Sequence, residues 1–98
     1  MKETIRKWLN DKLPQGSGFS LRGIEFKKDH VVAYMDYHVM NDVGYYVGYV
    51  DFSVRIPYTY PDEDFRLVIH GKHSYYFVRK YCLREFLEDT IFYSLKED

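Results

Sequence analysis

The strongest constraint on the fold lies between Val50 and Ile56, where apolar and polar residues alternate without a break. Successive side chains of extended backbone point to opposite faces. Val50, Phe52, Val54 and Ile56 therefore share one side of a strand, and Asp51, Ser53 and Arg55 share the other. The segment Val31 to Met40 alternates in the same way. A tight turn at Asp42-Val43 joins the two as a hairpin. It sets Val31 beside Val54, Ala33 beside Phe52, Met35 beside Val50 and Tyr37 beside Gly48. All the apolar partners then lie on one face, and a slip of one residue would undo the match.

The flanking segments extend this ribbon. Phe19 to Lys27 reads as a strand whose apolar phase shifts at Gly23, from Phe19 and Leu21 to Ile24 and Phe26. A bulge restores a common face. A turn at Lys28-Asp29 then brings Phe26 to Val31 and Ile24 to Ala33. After Pro57, the stretch Tyr58-Thr59-Tyr60-Pro61-Asp62-Glu63-Asp64 leaves the sheet, since proline cannot donate to a ladder and three acidic residues belong in water. Phe65 to His70 alternates again, with Phe65, Leu67 and Ile69 inward. Ser74 to Phe77 adds a short strand or leads into a helix.

Two segments have helical spacing. Ile5, Trp8, Leu9 and Leu13 form the apolar side of a helix over residues 2–13, ended by Pro14 and the Gly16–Gly18 stretch. Leu83, Leu87, Ile91 and Leu95 recur every four residues in a helix from about Val78 to Leu95, with Cys82 on its apolar side. The expected architecture is one α+β domain spanning residues 1–98. It is a two-layer sandwich: an N-terminal helix, an antiparallel meander of three to four strands, and a C-terminal helix.

Composition narrows the function classes. A formal charge of -1 supplies no general attraction to polyanions. A single cysteine forms no internal disulfide, which points to a reducing, cytoplasmic setting. No apolar signal core or 18-residue apolar run suggests a membrane. The unusual feature is the aromatic content, with 11 Tyr and 7 Phe. Tyrosine serves cores, interfaces and base-stacking platforms alike.

The expected register leaves a second face carrying Val32, Tyr34, Asp36 and His38 from one strand. The next strand adds Tyr45, Val47, Tyr49, Asp51, Ser53 and Arg55, with Tyr34 facing Asp51 and Tyr49 facing Asp36. Tyrosines beside charges suit protein docking. The contact residues read from this face are Tyr34, Tyr45, Tyr49 and Arg55, joined by Tyr58 and Tyr60 on the exit loop. The alternative is a single-stranded nucleic-acid-binding module using the same rings. Asp36 and Asp51 among the tyrosines repel phosphates and count against it. A third reading is a homodimer formed through this face or a sheet edge.

Chemistry-bearing patterns are sparse. His70, His73 and Cys82 supply too few ligands for a structural zinc. Asp62, Glu63 and Asp64 read as a solvated turn that would steer a basic partner. No phosphate loop, Ser-His-Asp order or zinc motif occurs. The expectation is a non-enzymatic, protein-binding adaptor or stoichiometric inhibitor without cofactor or metal.

The segment Phe52-Ser53-Val54-Arg55-Ile56-Pro57-Tyr58-Thr59-Tyr60-Pro61 resembles the strand exit of RWD domains and the related ubiquitin-conjugating enzymes. There, an Ile/Leu-Pro strand end is followed two residues later by Tyr-Pro. The order of helix, meander, Tyr-Pro turn, strand and helix is also similar. This chain has Phe65 where the family usually has a further proline, and its C-terminal part is short. It also has no cysteine between the fourth strand and the next helix. The resemblance therefore implies the non-catalytic, protein-binding branch.

Overall fold

The computed structural model describes residues 18–96, and the helix expected over 2–13 lies outside the described residues. The described residues form four strands, β1 (Phe19–Phe26), β2 (His30–Met40), β3 (Tyr46–Pro57) and β4 (Arg66–Ile69), followed by helices α1 (Gly71–Lys80) and α2 (Leu83–Leu95). The strands make one antiparallel sheet in the order β1-β2-β3-β4.

The alternation in β2 and β3 decides which face is covered. Val31, Ala33, Met35, Val39, Val50, Phe52, Val54 and Ile56 are all sealed from solvent. They pack under Phe77 and Val78 of α1 and Leu87, Ile91 and Leu95 of α2. The four-residue spacing of the last three puts them on one stripe of α2, as expected.

The register differs from the expected one by two residues. Val31 pairs with Ile56, Ala33 with Val54, Met35 with Phe52 and Tyr37 with Val50. Two separate single-residue events produce this. The turn is longer than a two-residue one: the Asn41 amide donates to the Tyr45 carbonyl, and the Gly44 amide donates to the Asn41 carbonyl. Asn41 Oδ1 also accepts from the amides of Val43 and Tyr45. Such side-chain bonds make Asn a turn former, and Gly44, at φ +89°, takes the left-handed position. A bulge then follows, since Met40 pairs with Tyr46 but Val39 pairs with Gly48. Two odd shifts make an even one, so every side chain between Val31 and Tyr37 keeps its predicted face.

β1 joins as predicted, with Phe26 opposite Val31 and Ile24 opposite Ala33. Its bulge lies between Leu21 and Gly23, so the extra residue is Arg22. β4 keeps Ile69 buried and Val68 exposed, in line with its alternation.

The C-terminal helical region needs two corrections. Ser74 to Phe77 is neither strand nor connection but the middle of α1, which begins at Gly71. The helix expected from Val78 to Leu95 is broken at Tyr81-Cys82. Cys82 is exposed in a left-handed conformation with φ 53°, so it is not a core residue on an apolar helical side. A non-glycine residue held there costs about 1–2 kcal/mol of backbone strain. Among the described residues, no helix is long and apolar enough to cross a membrane.

Candidate functional site

The bulge that completes the register also redistributes side chains at the turn end of the hairpin. Val47 packs against the core. Tyr46, paired with Met40, is displaced to the opposite face, where its ring lies edge-on to His38 at 5.7 Å. Tyr45 sits in the turn itself, held by its amide bond to Asn41. The result is a concentration of exposed apolar surface at one end of the sheet: Met40, Val43, Tyr45, Tyr46 and Tyr49. Val43 and Tyr45 retain 74% and 71% of their accessible surface, which is unusual for large apolar side chains.

Behind this end the open face is polar. Asp36 and Asp51 stand directly opposite each other on β2 and β3. Like charges in that position destabilise a ladder. The compensating charge is Arg22, the bulge residue of β1, with Nη1 3.5 Å from Asp36 Oδ1 and 3.7 Å from Asp51 Oδ1. Asp36 Oδ1 is buried and, among the described residues, accepts no hydrogen bond, so the charge contact with Arg22 is what compensates it there. Arg22→Ala is expected to lower stability by about 1–2 kcal/mol, because it strands a buried carboxylate oxygen facing a second carboxylate. Adding Asp51→Asn should restore most of the loss in urea unfolding, whereas equal instability of the single and double variants would contradict the charge bridge.

Next to the acid pair, Ser53 Oγ and His70 Nε2 lie 2.9 Å apart, and Ser53 is 6% exposed despite its place on the open face. His73 instead packs edge-on against Phe77, with ring centroids 4.6 Å apart, and lies 6.3 Å from the Tyr49 ring. The two histidines therefore have separate partners. Among the described residues, no three His, Cys, Asp or Glu side chains converge as metal ligands.

The six side chains read as contacts from the sequence do not form one surface. Tyr45 and Tyr49 belong to the exposed end. Tyr34 pairs with Ser53 rather than Asp51, and Tyr49 pairs with His38 rather than Asp36. The Tyr34 hydroxyl donates to Glu25 Oε2 at 2.9 Å. Bonds from Lys27 and then Tyr34 hold the Glu25 carboxyl below its ordinary pKa. Arg55 lies six residues from Tyr49, roughly 20 Å along the strand, with Nη2 4.0 Å from Asp29 Oδ2. Tyr58 ties the exit loop to the β1–β2 turn through its hydroxyl bond to the Lys27 carbonyl at 2.8 Å.

Tyr60 is 9% exposed and packs against Phe65, so it belongs to the core and not to a contact surface. Burial, with a smaller contribution from Asp64, raises its phenol above the usual value. The acidic loop is structured locally: Glu63 Oε2 accepts from the Thr59 hydroxyl, and Asp64 Oδ1 accepts from the Phe65 amide.

Sequence reasoning missed Arg22, Tyr46 and the outer side of α1. The first two are displaced by bulges, whose exact position alternation does not give. The third was hidden because the expected helix starts only at about Val78, with Ser74 to Phe77 read as a short strand or the approach to it, although Lys72, Tyr75, Tyr76, Arg79 and Lys80 carry helical spacing. No family model matches the chain, and no curated protein or solved structure matches it.

Proposed function

We propose that this chain is a non-enzymatic protein-binding domain, an adaptor or stoichiometric inhibitor of the cytoplasm, that docks through the turn end of the β2–β3 hairpin. The observation that carries this reading is the crowding of Met40, Val43, Tyr45, Tyr46 and Tyr49 at that end, all exposed. Large aromatic side chains supply most of the energy in protein interfaces, and a patch of them rimmed by polar groups is a recognition surface. Asn41, Asp42 and His38 form the rim. The turn is braced by Asn41 and Gly44, so little ordering entropy is lost on contact. The RWD-like strand exit supports the same class of function.

Tyr34, Arg55 and Tyr58 are left to the far end of the sheet, with Tyr34 and Tyr58 serving local structure. Tyr60 has no role in contact. The acidic loop at residues 62–64 adds long-range steering toward a basic partner.

The test is affinity capture from host lysate with the wild type and a Tyr45→Ala/Tyr49→Ala variant, followed by titration of the purified partner. At least tenfold weaker binding by the variant is expected, as for interface tyrosines in general. A partner held equally by both forms would contradict the reading. Light scattering on the same pair covers the homodimer: a dimer abolished by the variant identifies a second copy as the occupant of the patch.

A further inference from the structure

We infer that the outward side of α1 is a second binding site, for single-stranded nucleic acid, separate from the hairpin end. Lys72, Tyr75, Tyr76, Arg79 and Lys80 line a shallow cleft of about 660 Å³. Their spacing places them on one helix face, covering roughly 12 Å of its length. The inner face is anchored. Ser74, Phe77 and Val78 are buried, and the Ser74 hydroxyl accepts the Asp51 amide of β3 at 2.8 Å. The helix therefore presents its outer side rigidly.

Charge and ring content favour an anionic ligand with stackable groups. α1 has three cations and no acidic residue, in a chain whose formal charge is -1. Among the described residues, none of the three cations pairs with a carboxylate. Between them stand two tyrosines, Tyr75 and Tyr76, both about half exposed. Lys80 Nζ lies 5.6 Å from the Tyr76 ring centroid and 5.5 Å from that of Tyr81, so cation and rings share one surface.

Cations at both ends of a pair of rings match phosphates flanking stacked bases, which is how single strands are held without sequence preference. An acidic peptide would use the cations and leave the rings without purpose. Around the acid pair the sheet face lacks this combination, because Asp36 and Asp51 already occupy Arg22. With three cations, binding is weak, with a dissociation constant of about 1–100 µM.

The experiment is fluorescence anisotropy of a labelled oligo(dT) titrated with the whole chain at increasing salt. Three phosphate contacts predict a log–log salt slope of about −2. The Lys72→Ala/Arg79→Ala/Lys80→Ala variant should lose binding. Tyr75→Leu/Tyr76→Leu should weaken it about tenfold or more while keeping the slope. Tyr45→Ala/Tyr49→Ala should leave it unchanged, which separates this site from the protein-docking end. All these side chains are exposed, and unaltered thermal melts confirm that each variant folds.

No binding at low salt would overturn the inference, as would full binding by the Tyr75/Tyr76 variant. Competition by polyglutamate as effective as that of unlabelled oligo(dT) would also overturn it, and would assign the cleft to an acidic protein.

Discussion

Phe52→Ala is expected to destabilise the fold by about 3–5 kcal/mol, a large part of what a domain of this size possesses. Phe52 has no exposed surface and lies at the centre of the covered face, paired with Met35 on one side and Ile69 on the other. The Phe19 ring meets it edge-on at 6.3 Å. Truncation removes most of a large apolar side chain and leaves a cavity that two regular strands cannot collapse to fill. Tyr49, on the same strand but of opposite parity, should lose less than about 1 kcal/mol on truncation, as surface positions do. Urea unfolding of the two variants makes the comparison, and a reversal of their order would contradict the assignment of faces.

Gly48→Ala should cost about 1–3 kcal/mol although it adds a single carbon. A Cβ at Gly48 would stand 2.8 Å from two ring carbons of Phe77, and the backbone there has φ +156°, which side-chain-bearing residues rarely adopt. The ring cannot swing aside. Phe77 is 7% exposed, with His73 edge-on at 4.6 Å and Tyr81 stacked at 6.0 Å. The close approach is what lets α1 lie directly on the end of β3. Combining Gly48→Ala with Phe77→Leu should cost less than the sum of the two single changes, since the smaller side chain relieves the overlap. Strict additivity would show that the two positions do not touch.

The course of the sheet was legible because a period of two is insensitive to its own phase errors when they occur in pairs. The longer turn at Asn41–Tyr45 and the bulge at Val47 each move the register by one residue, and together they restore parity. Val31, Ala33, Met35, Val50, Phe52, Val54 and Ile56 thus reach the core that alternation assigned to them. Closer to the turn, where only one of the two shifts has acted, the prediction fails: Tyr46 goes to the open face and Val47 inward. Tyr60 was misplaced for a different reason. A proline-bounded acidic loop reads as solvated, but a single ring within it can fold back onto Phe65.

The continuous helix from Val78 failed at Cys82, because a left-handed residue other than glycine leaves no mark in composition or spacing. Of the candidate contacts, Tyr45 and Tyr49 lie together beside the Asn41 turn, both exposed. Arg55 shares the open face by parity but stands six residues further along the strand, and Tyr58 lies on the exit loop, tied to the Lys27 carbonyl.

The most direct test of the docking surface is hydroxyl-radical footprinting of the tyrosines, in the free protein and in the complex captured from lysate. In the free protein Tyr45, Tyr46 and Tyr49 should oxidise rapidly and Tyr60 slowly. In the complex the first three should become protected while Tyr34 and Tyr58 change little. Protection centred on Tyr34 and Tyr58, with Tyr45 and Tyr46 still reactive, would place the contact at the opposite end of the sheet and contradict the account.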